Sequence, residues 1–289
     1  KMKIGVDKIY VINLKKHKER KIEIIKFLDT IDTPYEIIEA IDGLEMHCTT
    51  EYFQKNLNQH FYDPGGIITR GVLGCALSHH KAWKKFMDDG LETALIFEDD
   101  VRATDEFFEW VENKKLEKAT NDLKSMNWGV CFFGKTRPDI DTTEDITSEI
   151  GIYKGFSNTT WCAHSYVINK HSAKWMYANL LPLNRAVDVF LECVPFRVLT
   201  LKKSLFVQEH MLYKKPYNDE NLWDGMPDEY KPSTIMPYHH ITPDEQNPYK
   251  ISEDAFRGLI TDPIIEIIGI DEIKLKVKDV EFPVLKIYI

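Results

Sequence analysis

The chain has 289 residues, 43% of them apolar, and its 37 basic residues stand against 46 acidic ones for a net charge of −9. This length and apolar content allow one substantial hydrophobic core, or one domain with an appendage. The acidic balance argues against a nucleic-acid-binding protein, and no apolar run approaches the length of a membrane span.

The first half of the chain alternates between strand and helix patterns. Short apolar runs bounded by turn residues predict strands at residues 9–14, 35–39 and 93–97. Apolar positions with helical spacing predict helices at 16–28, 49–57 and 74–87. A further helix at 104–117 would follow the third strand.

The second half continues the alternation up to about residue 208. Strands are predicted at 128–133, 161–168 and 197–201, and helices at 171–181 and 187–194. Residues 209–250 are rich in Pro, Tyr, His and Asp and should be mainly irregular, whereas 263–289 alternate as strands do. The pattern predicts an α/β fold with a mostly parallel sheet and flanking helices. We expect a catalytic domain at 1–210 and a C-terminal extension at 211–289, packed on the same domain.

The five cysteines indicate the compartment. They are scattered, odd in number and free of C-x-x-C spacing: Cys48, Cys75, Cys131, Cys162 and Cys193. This usage favours a reducing compartment and contains no zinc-binding pattern. The first residues carry no apolar signal-peptide segment. We therefore expect a soluble, cytoplasmic protein, and leave open whether it forms oligomers.

Three consecutive acids, Glu98, Asp99 and Asp100, end the apolar run at 94–97. At the end of a buried strand their charges would repel one another unless a cation or hydrogen-bond donors compensate them. Oxygen ligands suit hard divalent ions such as Mg²⁺ or Mn²⁺, and the carboxyl ends of strands in open α/β sheets are where ligands bind. The alternative is a solvated acidic turn or an N-terminal cap of the helix at 104–117.

Residues 129–136 match the phosphate-loop pattern G-x-x-x-x-G-K-[ST] letter for letter. That loop must follow a strand and open a helix, so that backbone N–H groups face the phosphates. Here the interior, V-C-F-F, is itself a strand pattern, and Pro138 blocks an immediate helix. The segment is predicted to be a strand without a role in ATP binding.

Several segments, taken in chain order, carry a resemblance to a known family. They are Y-V-I-N-L at 10–14 with Arg20, E-A-I-D-G at 39–43, R-G-V-L-G-C-A-L-S-H-H-K-A-W at 70–83, L-I-F-E-D-D-V at 95–101, Y-V-I at 166–168, A-V-D-V-F-L at 186–191 and L-F-V-Q at 205–208. Over residues 8–208 the chain resembles glycosyltransferase family 25. That family includes bacterial lipooligosaccharide galactosyltransferases and procollagen hydroxylysine galactosyltransferases.

The resemblance implies an A-type nucleotide-sugar fold, a UDP-sugar donor and a divalent ion, Mn²⁺ being the expected one. Asp100 would bind the ion directly and Glu98 would assist, while Asp99 could reach the ribose. His210 would supply a further metal ligand from the C-terminal part of the sequence, although His239 and His240 are alternatives for that role. The remaining donor-site residues that the resemblance implies are Asn13, Leu14, Arg20, Asp42, Ser78 and His79. On pattern alone His79 could equally be a core histidine, because it lies on the apolar face of its helix.

An inverting transfer needs a carboxylate that takes the proton from the acceptor hydroxyl. Asp188 is the candidate, since its family counterpart lies in a P-x-D motif; here Pro182 is displaced upstream and the local loop could differ. A helix cap explains an aspartate at this position about as well.

We expect an inverting, metal-dependent galactosyltransferase that uses UDP-galactose. Two acceptors compete, a hydroxylysine of a collagen-like polypeptide and a sugar of a lipooligosaccharide; the Tyr-, Pro- and acid-rich region 213–250 tips the choice towards the peptide. A non-catalytic nucleotide-binding or interaction domain is one alternative. Another is metal-dependent phosphoryl transfer or hydrolysis, which would use the same acids and release phosphate without an acceptor.

Overall fold

The computed structural model of the chain describes residues 1–43, 70–134, 144–153, 163–181, 183 and 185–209, together with the backbone of four short strands between 243 and 281. Contacts between Cα atoms divide the chain into two compact units. The first comprises Lys1–Ile41, Leu77–Asn179 and Val187–Lys231 and contains the main sheet. The second comprises Asp42–Ala76, Leu180–Ala186 and Pro232–Ile289.

The strands of the first unit are β1 (Lys8–Asn13), β2 (Tyr35–Glu39), β3 (Thr93–Glu98), β4 (Val101–Ala103), β5 (Val130–Phe132), β6 (Glu144–Asp145), β7 (Ile150–Ile152), β8 (Ser165–Asn169), β9 (Val198–Leu201) and β10 (Phe206–Gln208). The described helices are α1 (Lys18–Leu28), α2 (Arg70–Asp88), α3 (Asp105–Glu112), α4 (Lys115–Ser125), α5 (Lys170–Asn179) and α6 (Val187–Glu192). Two short antiparallel pairs follow in the second unit: β11 (Pro243–Asp244) with β12 (Asn247–Ile251), and β13 (Lys276–Val277) with β14 (Val280–Glu281).

The main sheet has eight strands in the order β2-β1-β3-β8-β5-β9-β7-β6. β1 is parallel to both neighbours, β2 and β3, and β5 is parallel to β9. β8 is antiparallel to β3 and β5, and β7 is antiparallel to β9 and β6. The predicted α/β fold with a central sheet and flanking helices is confirmed, and the sheet is a mixed one.

Burial explains why the central strands are uniformly apolar. The inner residues of β3, from Ala94 to Phe97, are all fully buried, as expected for a strand covered on both faces. At the carboxyl end of β3, Phe97 packs against Phe206 of β10 with ring centroids 4.8 Å apart. Phe206 also contacts Phe107 of α3, at 5.0 Å. These aromatic contacts hold β10 beside the end of β3, where the acidic residues lie.

Two helix predictions differ from the structure by more than two residues. α2 begins at Arg70, four residues before the predicted start, so Gly71 and Gly74 lie inside the helix and do not form a loop. Burial of Val72 and Leu73 outweighs the low helix propensity of glycine. The helix predicted at 104–117 is two helices, α3 and α4, because Lys114 adopts a left-handed backbone conformation with φ of 58°.

Other predictions fall wholly or partly outside the described residues. The strand predicted within residues 129–136, which match the phosphate-loop pattern, is confirmed by β5, whose three side chains are buried. Lys135 and Thr136 of that segment lie outside the described residues. So do the helix predicted at 49–57 and the three histidines His210, His239 and His240. The hairpin of β11 and β12 interrupts the region predicted as irregular, and β13 and β14 lie in the predicted strand region. None of the helices in the described part of the chain is long and apolar enough to cross a membrane.

Gly5 and Gly90 provide a matched test of packing between α4 and the segment that precedes β1. Both have positive φ, of 88° and 70° respectively. A Cβ on Gly5 would lie 2.2 Å from Oγ1 of the buried Thr120, whereas a Cβ on Gly90 would meet nothing within 4 Å. Gly90→Ala should therefore lower the free energy of unfolding by about 1 kcal/mol through backbone strain alone. Gly5→Ala should cost at least twice as much in urea denaturation; equal losses would contradict the predicted overlap.

Candidate metal and nucleotide-sugar site

Parallel pairing of β1 with β3 brings two predicted site residues together. The register pairs Ile12 with Glu98, so Asn13 and Asp99 follow at the same edge of the sheet. Nδ2 of Asn13 donates to an Asp99 carboxylate oxygen at 2.7 Å and to the His17 carbonyl at 3.1 Å. Asn13 thus ties the end of β3 to the start of α1.

Arg20 of α1 reaches the same acids. A terminal guanidinium nitrogen of Arg20 lies 3.3 Å from Asp99 and 3.8 Å from Asp100, and all three side chains are largely buried. Asp99 therefore faces β1 and α1, where Asn13 and Arg20 compensate its charge. β4 separates the acids from α3, which begins at Asp105, so the alternative that they cap the following helix is wrong.

Asp100 is the least compensated of the three acids. Its Oδ1 is buried and has no hydrogen-bond partner within the described residues. Burial, together with the negative charges of Glu98 and Asp99, raises the pKa of Asp100 to about 7, although the positive charges of Arg20 and Arg102 act in the opposite direction. A carboxylate oxygen that is buried, unpaired and surrounded by like charge fits a hard divalent cation.

Glu98 is held at both of its oxygens. Nε2 of His79 lies 3.2 Å from Oε1, and Nε2 of Gln208 donates to Oε2 at 3.2 Å. The charge of Glu98 also acts on Asp100, which indicates that the two carboxylates are close. The carboxyl end of β3 therefore presents Glu98 in a fixed orientation beside Asp100.

His79 is fully buried on α2, and both of its ring nitrogens are engaged. Nδ1 lies 2.7 Å from the Tyr166 hydroxyl, which also accepts a hydrogen bond of 2.9 Å from the Trp83 indole. Cys75 lies one turn earlier on α2, and its sulfur, a His79 nitrogen and a Glu98 oxygen lie within 4.8 Å of one another. Of the predicted metal ligands, Glu98 belongs to this group.

The residue that follows β10 contacts the acidic residues at the end of β3. β10 pairs with β4, and the Glu209 amide donates to the Asp100 carbonyl at 2.7 Å. The Glu209 carboxylate pairs with Arg102 at 2.5 Å. His210 itself lies outside the described residues, but it is the next residue after this contact.

Of the remaining predicted donor-site residues, Ser78 has a resolved structural partner. Its buried hydroxyl accepts a hydrogen bond of 2.8 Å from the amide of Ile41, the residue before Asp42. Leu14 follows Asn13 at the end of β1 and is partly buried.

Asp188 lies in the first turn of α6, where its Oδ1 accepts a hydrogen bond of 2.8 Å from the Val189 amide. One turn later, Glu192 accepts a hydrogen bond of 2.6 Å from Tyr153. Burial raises the pKa of Tyr153, and the negative charges of Glu192 and Asp188 add to the effect. α6 is anchored by Phe190, whose ring stacks on Trp83 with centroids 6.1 Å apart. The geometry is compatible with both readings of Asp188, the general base and the helix cap.

Sequence reasoning assigned no role to four residues around these acids. Gln208 donates to Glu98 and the Glu209 amide donates to Asp100, while Tyr166 contacts His79 and Arg102 pairs with Glu209. Tyr166 and Gln208 fell within segments that carried the family resemblance, and a buried tyrosine hydroxyl in a strand is itself a sign of a polar partner. Nothing in the sequence indicated the pairing of Arg102 with Glu209, which are more than a hundred residues apart.

Comparison with known proteins identifies the family of the chain. The chain is 31% identical over 196 residues to human procollagen galactosyltransferase 2, and 28% identical over 195 residues to zebrafish procollagen galactosyltransferase 1. It is also 27% identical over 197 residues to human inactive glycosyltransferase 25 family member 3. Each match covers 65% of this chain and 30–32% of the relative, so the chain spans about a third of the length of these curated relatives. A model of the family described as glycosyltransferase family 25 (LPS biosynthesis protein) matches residues 6–191. The chain therefore belongs to glycosyltransferase family 25.

Proposed function

We propose that this chain transfers galactose from UDP-galactose to an acceptor hydroxyl, with inversion and with the help of a divalent ion, Mn²⁺. The observation that carries the proposal is the end of β3, where Asp100 has a buried carboxylate oxygen without a hydrogen-bond partner among the described residues. Membership of the family and the names of the relatives support the reaction class.

Glu98, Asp100 and His210 would hold the ion, with Asp100 in direct contact and Glu98 assisting. When bound, the ion would stabilise the charge that develops on the leaving diphosphate. Arg20 lies beside Asp99 and Asp100 and can contribute positive charge to the same group. Around the nucleotide we propose Asn13, Leu14, Arg20, Asp42, Ser78 and Asp99.

Asp188 is our proposed general base. At the start of α6 its carboxylate is only partly buried and is therefore accessible to an acceptor hydroxyl, while Oδ1 also accepts a hydrogen bond from the Val189 amide. The acceptor proton must leave as the new glycosidic bond forms, and a carboxylate is a suitable acceptor for it.

For the acceptor we propose a hydroxylysine in a collagen-like polypeptide. Two of the relatives quoted above are named procollagen galactosyltransferases, and the acidic region 213–250 would suit a basic peptide. We propose that residues 1–210 form the catalytic part and that 211–289 contribute to the acceptor side. A lipooligosaccharide sugar is the competing acceptor, in keeping with the family description. The cysteine pattern leads us to propose a reducing, cytoplasmic compartment.

A second candidate function is a domain that binds nucleotide or a partner without turnover. It is favoured by one observation, the relative named an inactive family member. The presence of Glu98, Asp99, Asp100 and Asp188 in this chain argues for turnover, because a site that has lost catalysis tends to lose a carboxylate.

A panel of donors and acceptors tests the proposal. UDP-galactose, UDP-glucose and UDP-N-acetylglucosamine would be crossed with a hydroxylysine peptide and a lactose-type acceptor, each with Mn²⁺ or a chelator. We expect UDP release and a mass gain of one hexose on the peptide with UDP-galactose and Mn²⁺. Transfer to the sugar alone would identify the other acceptor. UDP binding without transfer would favour the non-catalytic function, and phosphate release without acceptor would indicate hydrolysis.

A further inference from the structure

We propose that His79 is a positioning residue, which orients Glu98 through a buried chain of hydrogen bonds from Trp83 and Tyr166, and that it does not touch the nucleotide sugar. The chain joins α2 to β8 and ends on the carboxylate at the end of β3. The inference rests on the proposed function, since it gives Glu98 its part in holding the ion.

Burial is the first reason. His79 has no exposed surface, and the only ring atoms that could bond a ligand are its two nitrogens. Nδ1 is 2.7 Å from Tyr166 and Nε2 is 3.2 Å from Glu98, so both are already engaged. A donor sugar could reach His79 only by breaking one of these contacts.

The chemistry of these side chains determines which group donates and which accepts in each of the hydrogen bonds from Trp83 to Glu98. Indole N–H groups only donate, so Trp83 donates to the Tyr166 oxygen. An ionised carboxylate only accepts, so Nε2 of His79 must carry the hydrogen that faces Glu98. In the neutral imidazole Nδ1 then accepts, and the Tyr166 hydroxyl donates to it. Each donor in the chain meets an acceptor, as a buried network requires.

The consequence falls on Glu98. His79 holds one carboxylate oxygen and Gln208 holds the other, so the carboxylate cannot rotate freely. A carboxylate has about four lone-pair directions, which leaves the remaining ones for a cation beside Asp100. Partners that orient metal ligands in this way typically change metal affinity by about 10–100-fold when removed.

Two variants break the chain at different points. His79→Leu removes the donor to Glu98, and Tyr166→Phe removes the hydroxyl that fixes the His79 tautomer while keeping the ring. His79→Gln is the conservative rescue, because its amide N–H can replace Nε2–H. His80→Leu is the matched control one residue along α2, since His80 bonds the Tyr177 carbonyl and stacks on the Tyr177 ring instead.

Calorimetric titration of Mn²⁺ into each purified protein is the primary measurement, followed by titration of UDP at saturating Mn²⁺. His79→Leu and Tyr166→Phe should bind Mn²⁺ about 10–100-fold more weakly, with UDP affinity at saturating ion close to wild type. His79→Gln should recover most of the Mn²⁺ affinity, and His80→Leu should retain it. Loss of UDP affinity at saturating ion with unchanged Mn²⁺ affinity would overturn the proposal and make His79 a donor contact. Equal Mn²⁺ affinity in His79→Leu and wild type would overturn it too.

A second readout needs no ion and no activity. Nitrogen NMR of the metal-free protein should find His79 with a hydrogen on Nε2 and an accepting Nδ1, a pattern that Tyr166→Phe should disturb and His80→Leu should not. A hydrogen on Nδ1 alone would overturn the chain of bonds. Failure of the wild type itself to bind Mn²⁺ would instead refute the ion-dependent function. The hydrogen bonds from Trp83 to Glu98 would then have no metal ligand to orient.

Discussion

Replacing Asp100 with asparagine should stabilise the metal-free protein at pH 8 and at the same time abolish ion-dependent UDP binding. The wild-type carboxylate is buried beside Glu98 and Asp99, and this environment raises its pKa from 3.8 to about 7. At pH 8 the folded protein must keep Asp100 charged, which lowers the free energy of unfolding by about 4 kcal/mol at most. Asparagine has the same shape without the charge, so we expect a gain of about 1–4 kcal/mol.

The pH dependence gives the sign of the effect. Between about pH 4 and pH 7 folded Asp100 keeps a proton that the unfolded chain releases, so wild-type stability should fall as the pH rises through this window. Above pH 7 both states are ionised and the loss is complete. The melting-temperature advantage of Asp100→Asn should therefore be largest at pH 8 and vanish near pH 4.

Mn²⁺ should reverse the order of stability. By binding only the folded state, the ion raises the melting temperature of the wild type, whereas Asp100→Asn lacks the direct ligand and should respond little. Asp88→Asn is the control, because Asp88 is 57% exposed and solvent screens its pair with Lys84. An Asp100→Asn protein that is less stable than wild type at pH 8 in chelator would show that Asp100 is satisfied by the protein itself.

Asp188→Asn should lower kcat by about 10²–10⁴ while UDP binding survives, if Asp188 is the general base. Asparagine caps a helix as well as aspartate does, so a cap without a catalytic role would lose less than about 1 kcal/mol of stability and almost no activity. Asparagine can accept the same hydrogen bond from the Val189 amide, so this contact is preserved in either case. One variant, assayed by melting and by initial rate, therefore separates the two roles.

Glu192→Gln is the matched control on the same helix. Glu192 accepts a hydrogen bond from the Tyr153 hydroxyl and has no proposed part in the transfer reaction. Its neutralisation should change stability more than kcat. A wild-type rate in Asp188→Asn would move the base elsewhere, and the acids at 219–229 would be the next candidates.

Much of the fold could be predicted because its strands are short, apolar and bounded by turns. β2 has the predicted bounds, and β1 and β3 each differ by a residue at their ends. The direction of the strands was harder to predict. β8 runs antiparallel between β3 and β5, and strand direction depends on how the chain crosses between strands, which hydrophobic periodicity does not reveal. The start of α2 was placed four residues too late, because burial of Val72 and Leu73 outweighs the low helix propensity of the glycine before them.

The candidate site was predictable in its residue types and not in its contacts. Asn13 and Arg20 were expected to meet the nucleotide, and in the structure both bind Asp99, which makes them supports of the acidic turn as well. The partners of Glu98 come from α2 and β10, elements separated from it by 19 and 110 positions. Only the folded register brings such residues together, so the dependence of Glu98 on His79 has no local sequence signal.

Calorimetric titration of UDP into the wild-type protein, with Mn²⁺ and then with chelator, tests the central claim most directly. If the acids at the end of β3 hold an ion that helps to bind the diphosphate, removal of the ion should weaken UDP binding at least about tenfold, and Asp100→Asn should bind UDP weakly under both conditions. Equal UDP affinity with Mn²⁺ and with chelator would contradict the account.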